Sequence, residues 1–467
     1  MKPRHFLMIG AAAAALAACG ATTKPLPTAE LQQSWQGAPE GVRVEQLAPK
    51  AWWRDFGDPV LDQLIDTAQA RNLDLRLAES RVQEARALRK GARAELFPEL
   101  TGAGQAERSR TRVRNQPAVT DNTFGLSLGA TWEADLFGRL RSEARAASAD
   151  LQATEADRDA MRLTLLAEVA RTYMEFRLYQ AQAVLAEKNA EAQEGTVRIT
   201  RARFGQGMGN RLDVERTVAQ LSQTRATVPQ AREQAESARH RLVLLLATTP
   251  EALAAMMPDE AAMPDADALA VLAAPTQVIA QRPDVRAAER RLLAAAERVK
   301  AAEALRYPQI TLSGLLGVQS DKVGELFNPG TRVWSAGAAL LQPLFDFGRI
   351  RAAIDAADAR QEQAYLSYEL TVRTALQEAQ TAIVLYTQGV IRQKELGNAV
   401  QAARKASELA HRQYQEGTLS LLEVLDAERT VYEAETNWTQ ATADVAMRLV
   451  GLYQTMGVVP PAPPPQG

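Results

Sequence analysis

The chain has 467 residues, 24% of them charged and 5% aromatic, with one cysteine and three histidines. Its 54 Lys and Arg offset 56 Asp and Glu to a net charge of -2, so no global field draws in nucleic acid, and the many arginines belong beside the many glutamates on solvated helix faces. An Ala-rich chain poor in aromatics favours long helices packed through small side chains, and one cysteine leaves no intrachain disulfide to hold it.

Residues 1–18 stand apart from the fold. Lys2 and Arg4 make a positive start, and the apolar run Phe6 to Leu16 is too short to span a bilayer. It ends in LAAC at Cys19. That spelling resembles the bacterial lipoprotein signal, whose cysteine becomes the lipidated first residue of the mature chain; the plainer alternative is an ordinary signal peptide that leaves a free thiol. Gly20 stands where, in lipoproteins, an aspartate favours the inner membrane, which leans the reading towards the outer one. Residues 19–50, rich in Pro, Gly and polar side chains, are expected to form an extended, lipid-anchored tether. Acyl chains anchor without making a channel. No later run is long and apolar enough for a membrane helix, so a crossing would need strands in a closed barrel.

Folded structure is expected from Trp52, Trp53 and Phe56. Asp58-Pro59 looks like a helix start, and Leu61, Leu64, Ile65, Ala68, Leu75, Ala78, Val82 and Ala85 keep helical spacing in one helix over 60–97, ended by Phe97-Pro98. A β-hairpin is predicted at about 99–135. Its second strand puts Phe124, Leu126, Leu128, Ala130 and Trp132 on one face and Gly125, Ser127, Gly129, Thr131 and Glu133 on the other. A dry face opposite a wet, small-residue face suits a membrane barrel strand, although a soluble sandwich alternates in the same way. The spacing then predicts a helix over 140–199, about 90 Å long at 1.5 Å per residue, a turn at FGQGMGN, and a return helix over 212–247 kinked at Pro229. Residues 248–275 are expected to be a connection.

The chain then repeats itself. Phe97-Pro98 recurs as Tyr307-Pro308, and Phe137-Gly138-Arg139 recurs as Phe347-Gly348-Arg349. Phe204 and Gly207 recur as Tyr414 and Gly417, each pair 210 residues apart. Chance matches would scatter their offsets, so the chain is read as a duplication: repeat 1 over 51–247 and repeat 2 over 276–456. The second repeat supplies a hairpin at about 309–343, a helix over 350–409 and a return helix over 419–456. Residues 457–467 are expected to be a Pro-rich disordered tail.

Four membrane-type strands leave two open edges that lipid cannot satisfy, and four strands cannot enclose a lumen. Several copies must therefore pool their hairpins; three would give twelve strands. The combination of Cys19 in LAAC, WWRDFGDPVLDQLIDTAQARNLDL (52–75), QRPDVRAAERRL (281–292), Tyr307-Pro308, WSAGAALLQPLFDFGR (334–349) and YQEGTLSLLEVLDAER (414–429) resembles the TolC-like outer-membrane efflux proteins, in particular the lipidated branch serving resistance-nodulation-division (RND) pumps. One departure is Ala247 in LLLATTP, where that family often has glycine. The resemblance implies a mainly α fold with membrane β: a homotrimer whose twelve-stranded barrel continues as a long periplasmic α-helical barrel. It would lie in the outer membrane and conduct drugs or other small solutes passively from an inner-membrane RND-type transporter and a periplasmic adaptor protein. A type I protein-secretion exit duct and a non-channel periplasmic coiled-coil lipoprotein stay open as alternatives.

No catalytic constellation is visible, and no cofactor is expected beyond the covalent lipid on Cys19. His5 lies in the signal segment, and His240 and His411 look like isolated helix histidines without metal-ligand spacing. FGQGMGN lacks the GK[ST] of a phosphate loop. The resemblance implies that Leu422 and Asp426, with Arg429 one turn on, line the closed periplasmic end of the tunnel, three leucines as a constriction and three aspartates as an anionic ring. The plainer alternative is an exposed Asp426–Arg429 ion pair. The turns at Gly207 and Gly417 would then be the adaptor contact, and Phe137-Gly138-Arg139 and Phe347-Gly348-Arg349 the strand-to-helix junctions.

Overall fold

The computed structural model describes residues 51–112, 114, 117–257, 263–264 and 275–458; Cys19, the segments 1–18 and 19–50, and residues 459–467 lie outside them. Among the described residues the chain divides into two compact units, one of 83–153 and 288–369 and the other of 51–82, 154–287 and 370–458.

The first unit holds one sheet of four antiparallel strands, β1 (Glu99–Thr111), β2 (Val119–Ala134), β3 (Gln309–Ser320) and β4 (Arg332–Leu341), in the order β1-β2-β3-β4. Register follows the alternation of side chains. Gly102 pairs with Leu128, Leu128 with Leu316, and Leu316 with Trp334. Leu100, Ala130, Gly314 and Ala336 form the next row but one along the same face. Because side chains alternate strictly, this register lines up the apolar positions of all four strands on one face. Thr101, Gly129 and Leu315 pair into a row on the other. β1 and β4 are the edges.

The helices are α1 (Pro59–Arg71), α2 (Leu73–Ala94), α3 (Arg139–Gly205), α4 (Arg211–Leu245), α5 (Pro250–Met256), α6 (Pro275–Gln281), α7 (Pro283–Ala304), α8 (Arg349–Gln415) and α9 (Leu421–Thr455). The duplication is written in their bounds. α3 and α8, α4 and α9, and α2 and α7 each start and stop 210 residues apart. In the first unit, the start of α3 is tied to α7 by Arg145–Glu297 at 2.6 Å and by Arg298–Asp150.

The core of the second unit is built on the WWRDFGDP segment. A 3-10 turn, Trp52–Phe56, leads to Asp58, whose carboxylate caps α1 by accepting from the Val60 N–H at 2.8 Å, with Pro59 at the first helical position. Trp52 stacks on Tyr453, centroids 5.7 Å apart. Both aspartates also accept a tyrosine hydroxyl: Tyr453 donates to Asp55 at 2.7 Å and Tyr173 to Asp58 at 2.6 Å. Burial, followed by these hydrogen bonds, pushes both tyrosines well above their ordinary range, so they stay donors. Around them pack Leu61, Leu64, Ile65, Met174, Leu242, Leu246, Ile383 and Leu449.

Three expectations are corrected. The helix over 60–97 is two helices, broken at buried Asn72, whose carboxamide accepts from the Leu75 N–H and donates to the Leu245 carbonyl, each at 2.9 Å. It stops at Ala94, before Phe97-Pro98. Repeat 2 breaks in the same place, between α6 and α7. The connection 248–275 contains α5, capped by Thr249, and Pro275 already begins α6. In the tail, Gly457 closes the α9 terminus and Val458 is buried; both belong to the fold.

Candidate functional site

Two places carry the site residues read from the sequence: the junctions of the first unit and the turn-bearing end of the helices in the second.

At the first junction, Asp135 accepts from the N–H groups of Leu140 and Arg141 at 3.2 and 2.9 Å, capping α3. Arg139 is clamped between Glu133 at 2.8 Å and Glu143 at 3.1 Å. Phe137 stacks on Tyr307 with centroids 4.7 Å apart, and Gly138 takes φ +79°. At the second, Asp346 accepts from Gly348 and Ile350 at 3.0 and 2.8 Å, Gly348 takes φ +87°, and Phe347 also lies at positive φ, +53°. Pro343 stands where Glu133 stood, Arg349 acts on the Asp346 carboxylate, and two apolar side chains of the junction are exposed: Leu344 is 93% and Phe347 90% accessible.

In the second unit, α3 and α8 end in the same turn. Gly207 N–H donates to Phe204 and Met208 N–H to Arg203; Gly417 N–H donates to Tyr414 and Thr418 N–H to Gln413. Both glycines are left-handed, φ +73° and +78°, the conformation this helix-ending motif requires. The structure brings the two turns together. Arg203 donates to the Tyr414 carbonyl at 3.2 Å, and its guanidinium sits 4.7 Å from the centre of the Tyr414 ring. Sequence reading missed Arg203; its signal was adjacency to Phe204, the repeat partner of Tyr414.

α9 starts just past the second turn. Leu421, Val424, Leu425 and Glu428 are buried, whereas Leu422, Asp426 and Arg429 share the exposed face. Asp426 lies 2.5 Å from Arg429, and Arg429 reaches Glu433 at 3.8 Å. Both members of the Asp426–Arg429 pair are about 60% exposed, so it contributes at most about 1 kcal/mol to folding. The reading of His411 as an isolated histidine is corrected: its Nε2 lies 3.1 Å from the Glu428 carboxylate. No local motif links positions 411 and 428; only the return of α9 along α8 joins them.

Among the described residues, no helix is long and apolar enough to cross a membrane, and no group of three or more His, Cys, Asp and Glu is placed to hold a metal.

The family model described as outer membrane efflux protein matches the chain twice, over residues 64–248 and 274–458, segments whose limits repeat the 210-residue offset. The pyoverdine export outer membrane protein OpmQ of Pseudomonas aeruginosa is 31% identical over 458 residues, covering 95% of this chain and 94% of that one. Among solved structures, the outer-membrane channel OprN aligns with TM-score 0.85 at 33% identity, over 92% of this chain and 98% of that one. The open state of the MtrE outer membrane channel of Neisseria gonorrhoeae aligns with TM-score 0.83 at 30% identity, over 93% and 97%. The chain belongs to the outer membrane efflux protein family.

Proposed function

We propose that three copies of this chain form the outer-membrane channel of a tripartite efflux system, which passively conducts small solutes from an inner-membrane RND-type transporter and a periplasmic adaptor to the outside. The observation that carries this reading is the sheet: an apolar face in register across four antiparallel strands, with both edges unpaired. A bilayer tolerates strands only in a closed barrel, and four cannot close one, so copies must share edges. The relatives support the pump context, since OpmQ is a pyoverdine export protein and MtrE an outer membrane channel.

In the same reading Cys19 carries the lipid anchor. The twin turns at Gly207 and Gly417, held together by Arg203, meet the adaptor. The exposed Leu422–Asp426–Arg429 face of α9 lines the channel at its periplasmic end, with Leu422 as constriction and Asp426 as an anionic ring selecting cations. The test is single-channel recording of the purified protein in planar bilayers. Wild type is expected to conduct weakly and to prefer cations, and Asp426→Ala to raise conductance about two-fold or more while weakening cation preference. A protein that is monomeric in detergent and silent in the bilayer overturns the channel; unchanged conductance and selectivity in Asp426→Ala overturn the gate.

A further inference from the structure

The buried side of α9, beneath the Leu422–Asp426–Arg429 face, holds a carboxylate shared by three helices. Glu428 is 8% exposed. Its Oε1 accepts a hydrogen bond from Thr196 Oγ1 of α3 at 2.6 Å and lies 3.1 Å from His411 Nε2 of α8. Oε2 is buried without a hydrogen-bond partner among the described residues. A buried carboxylate is costly unless it is paired, and the first repeat shows that packing here does not demand one. The residues 210 positions earlier are Val218 for Glu428 and Arg201 for His411. Val218 packs with Ala190, Val197 and Leu221. The same chain thus contains an apolar solution to the same helix-packing problem, and the charged one stands only in the repeat that carries Asp426.

We propose that Glu428, clasped by His411 and Thr196, is a positioning residue that fixes the segment of α9 bearing Leu422, Asp426 and Arg429, and that the clasp loosens when His411 loses its proton. The proposal rests on the gate reading given above. The hydrogen bond to Glu428, helped by its charge and opposed by burial, raises His411 above its ordinary 6.5. A group whose folded value is raised contributes stability that is complete below the unfolded value and lost as pH rises through the folded one. The clasp is therefore tight below about pH 6.5 and opens as pH climbs through the raised value.

Other charges on the packed helices have their own partners. On α8, Glu408 pairs with Arg412, and Arg404 with Glu435 of α9. On α9, Asp426 and Glu433 share Arg429. On α3, Arg203 lies over Tyr414, and Glu194 pairs with Arg225 of α4; the Tyr432 hydroxyl of α9 meets Thr227 of α4. Arg198 and Arg201 of α3, Arg216 of α4, Lys405 of α8 and Glu423 of α9 are exposed. Glu428 is the charge that sets the His411 proton.

The experiment uses the full-length assembled protein and two readouts against pH: hydrogen-exchange protection of amides 421–430, corrected for intrinsic rate, and single-channel conductance. In wild type, protection is expected to fall as pH rises from about 6.5 through the raised His411 value, and conductance to rise in the same window. His411→Gln is expected to flatten both profiles. Glu428→Val, which installs the residue of the first repeat, is expected to do the same and serves if His411→Gln does not assemble. A pH dependence of protection that survives in these variants overturns the clasp. Protection that titrates in wild type and flattens in the variants, with conductance flat throughout, keeps the clasp and overturns the gate reading.

Discussion

Three helix pairs of the two repeats have identical lengths, yet the strand-to-helix junctions of the first unit differ. The repeat 1 junction is closed within the chain: Phe137 stacks on Tyr307 of repeat 2, and Arg139 is held by two glutamates. In repeat 2 the same N–H group, that of Ile350 instead of Leu140, is capped by an aspartate one residue nearer in sequence. The shortened approach accompanies Phe347 at positive φ, about 1–2 kcal/mol of backbone strain, and Leu344 and Phe347 stand in the open. Duplication supplied one scaffold twice. The second copy differs at this junction, whose apolar side chains are exposed on the single chain, and again at Glu428, a buried carboxylate where the first copy has Val218. Equal helix pairs with unequal ends teach that the copies diverged at a junction and at one buried contact while the long helices kept their bounds.

The largest effect is expected at that second junction. Leu344→Asp with Phe347→Asp removes two exposed apolar side chains whose covering by a neighbouring copy in the proposed trimer would contribute roughly 3–6 kcal/mol, and the trimer band in outer-membrane fractions should disappear. Ala134→Asp with Phe137→Asp, the matched change in repeat 1, should keep it. Equal loss in both variants would break the comparison. A smaller effect is expected where α9 ends. Gly457 is left-handed, φ +70°, and an added Cβ would come within 2.8 Å of the Arg282 side chain. Gly457→Ala should cost about 2–3 kcal/mol, seen as a lower denaturation midpoint. The smallest change runs the other way. Ala247, 210 positions earlier, occupies the equivalent place at φ +46°; Ala247→Gly should stabilise by about 1 kcal/mol, measured in the same unfolding assay. No gain there would mean that Ala247 makes compensating contacts of its own.

Much of this was legible in the residues. The 210-residue offset located the helix pairs, and alternation along 124–132 and 334–340 gave each strand its two faces. The departure at Ala247 in LLLATTP marked the position that turned out left-handed. What escaped notice depends on contacts distant in sequence. Asn72 sits inside a run of good helical spacing, and only its bond to the Leu245 carbonyl shows why the helix restarts there. His411 looked solitary because its carboxylate comes from the next helix, and Arg203 because the ring it rests on lies 211 positions away.

The strand order has a consequence for assembly. Each chain contributes four strands that alternate in direction, so β1 and β4 run opposite ways. Placing one copy's last strand beside the next copy's first therefore always yields an antiparallel seam, whatever the number of copies in the ring. An odd contribution would have forced a parallel seam at every subunit boundary. The parity of the sheet thus permits any closed ring and selects none, so the subunit count is set by something other than strand direction.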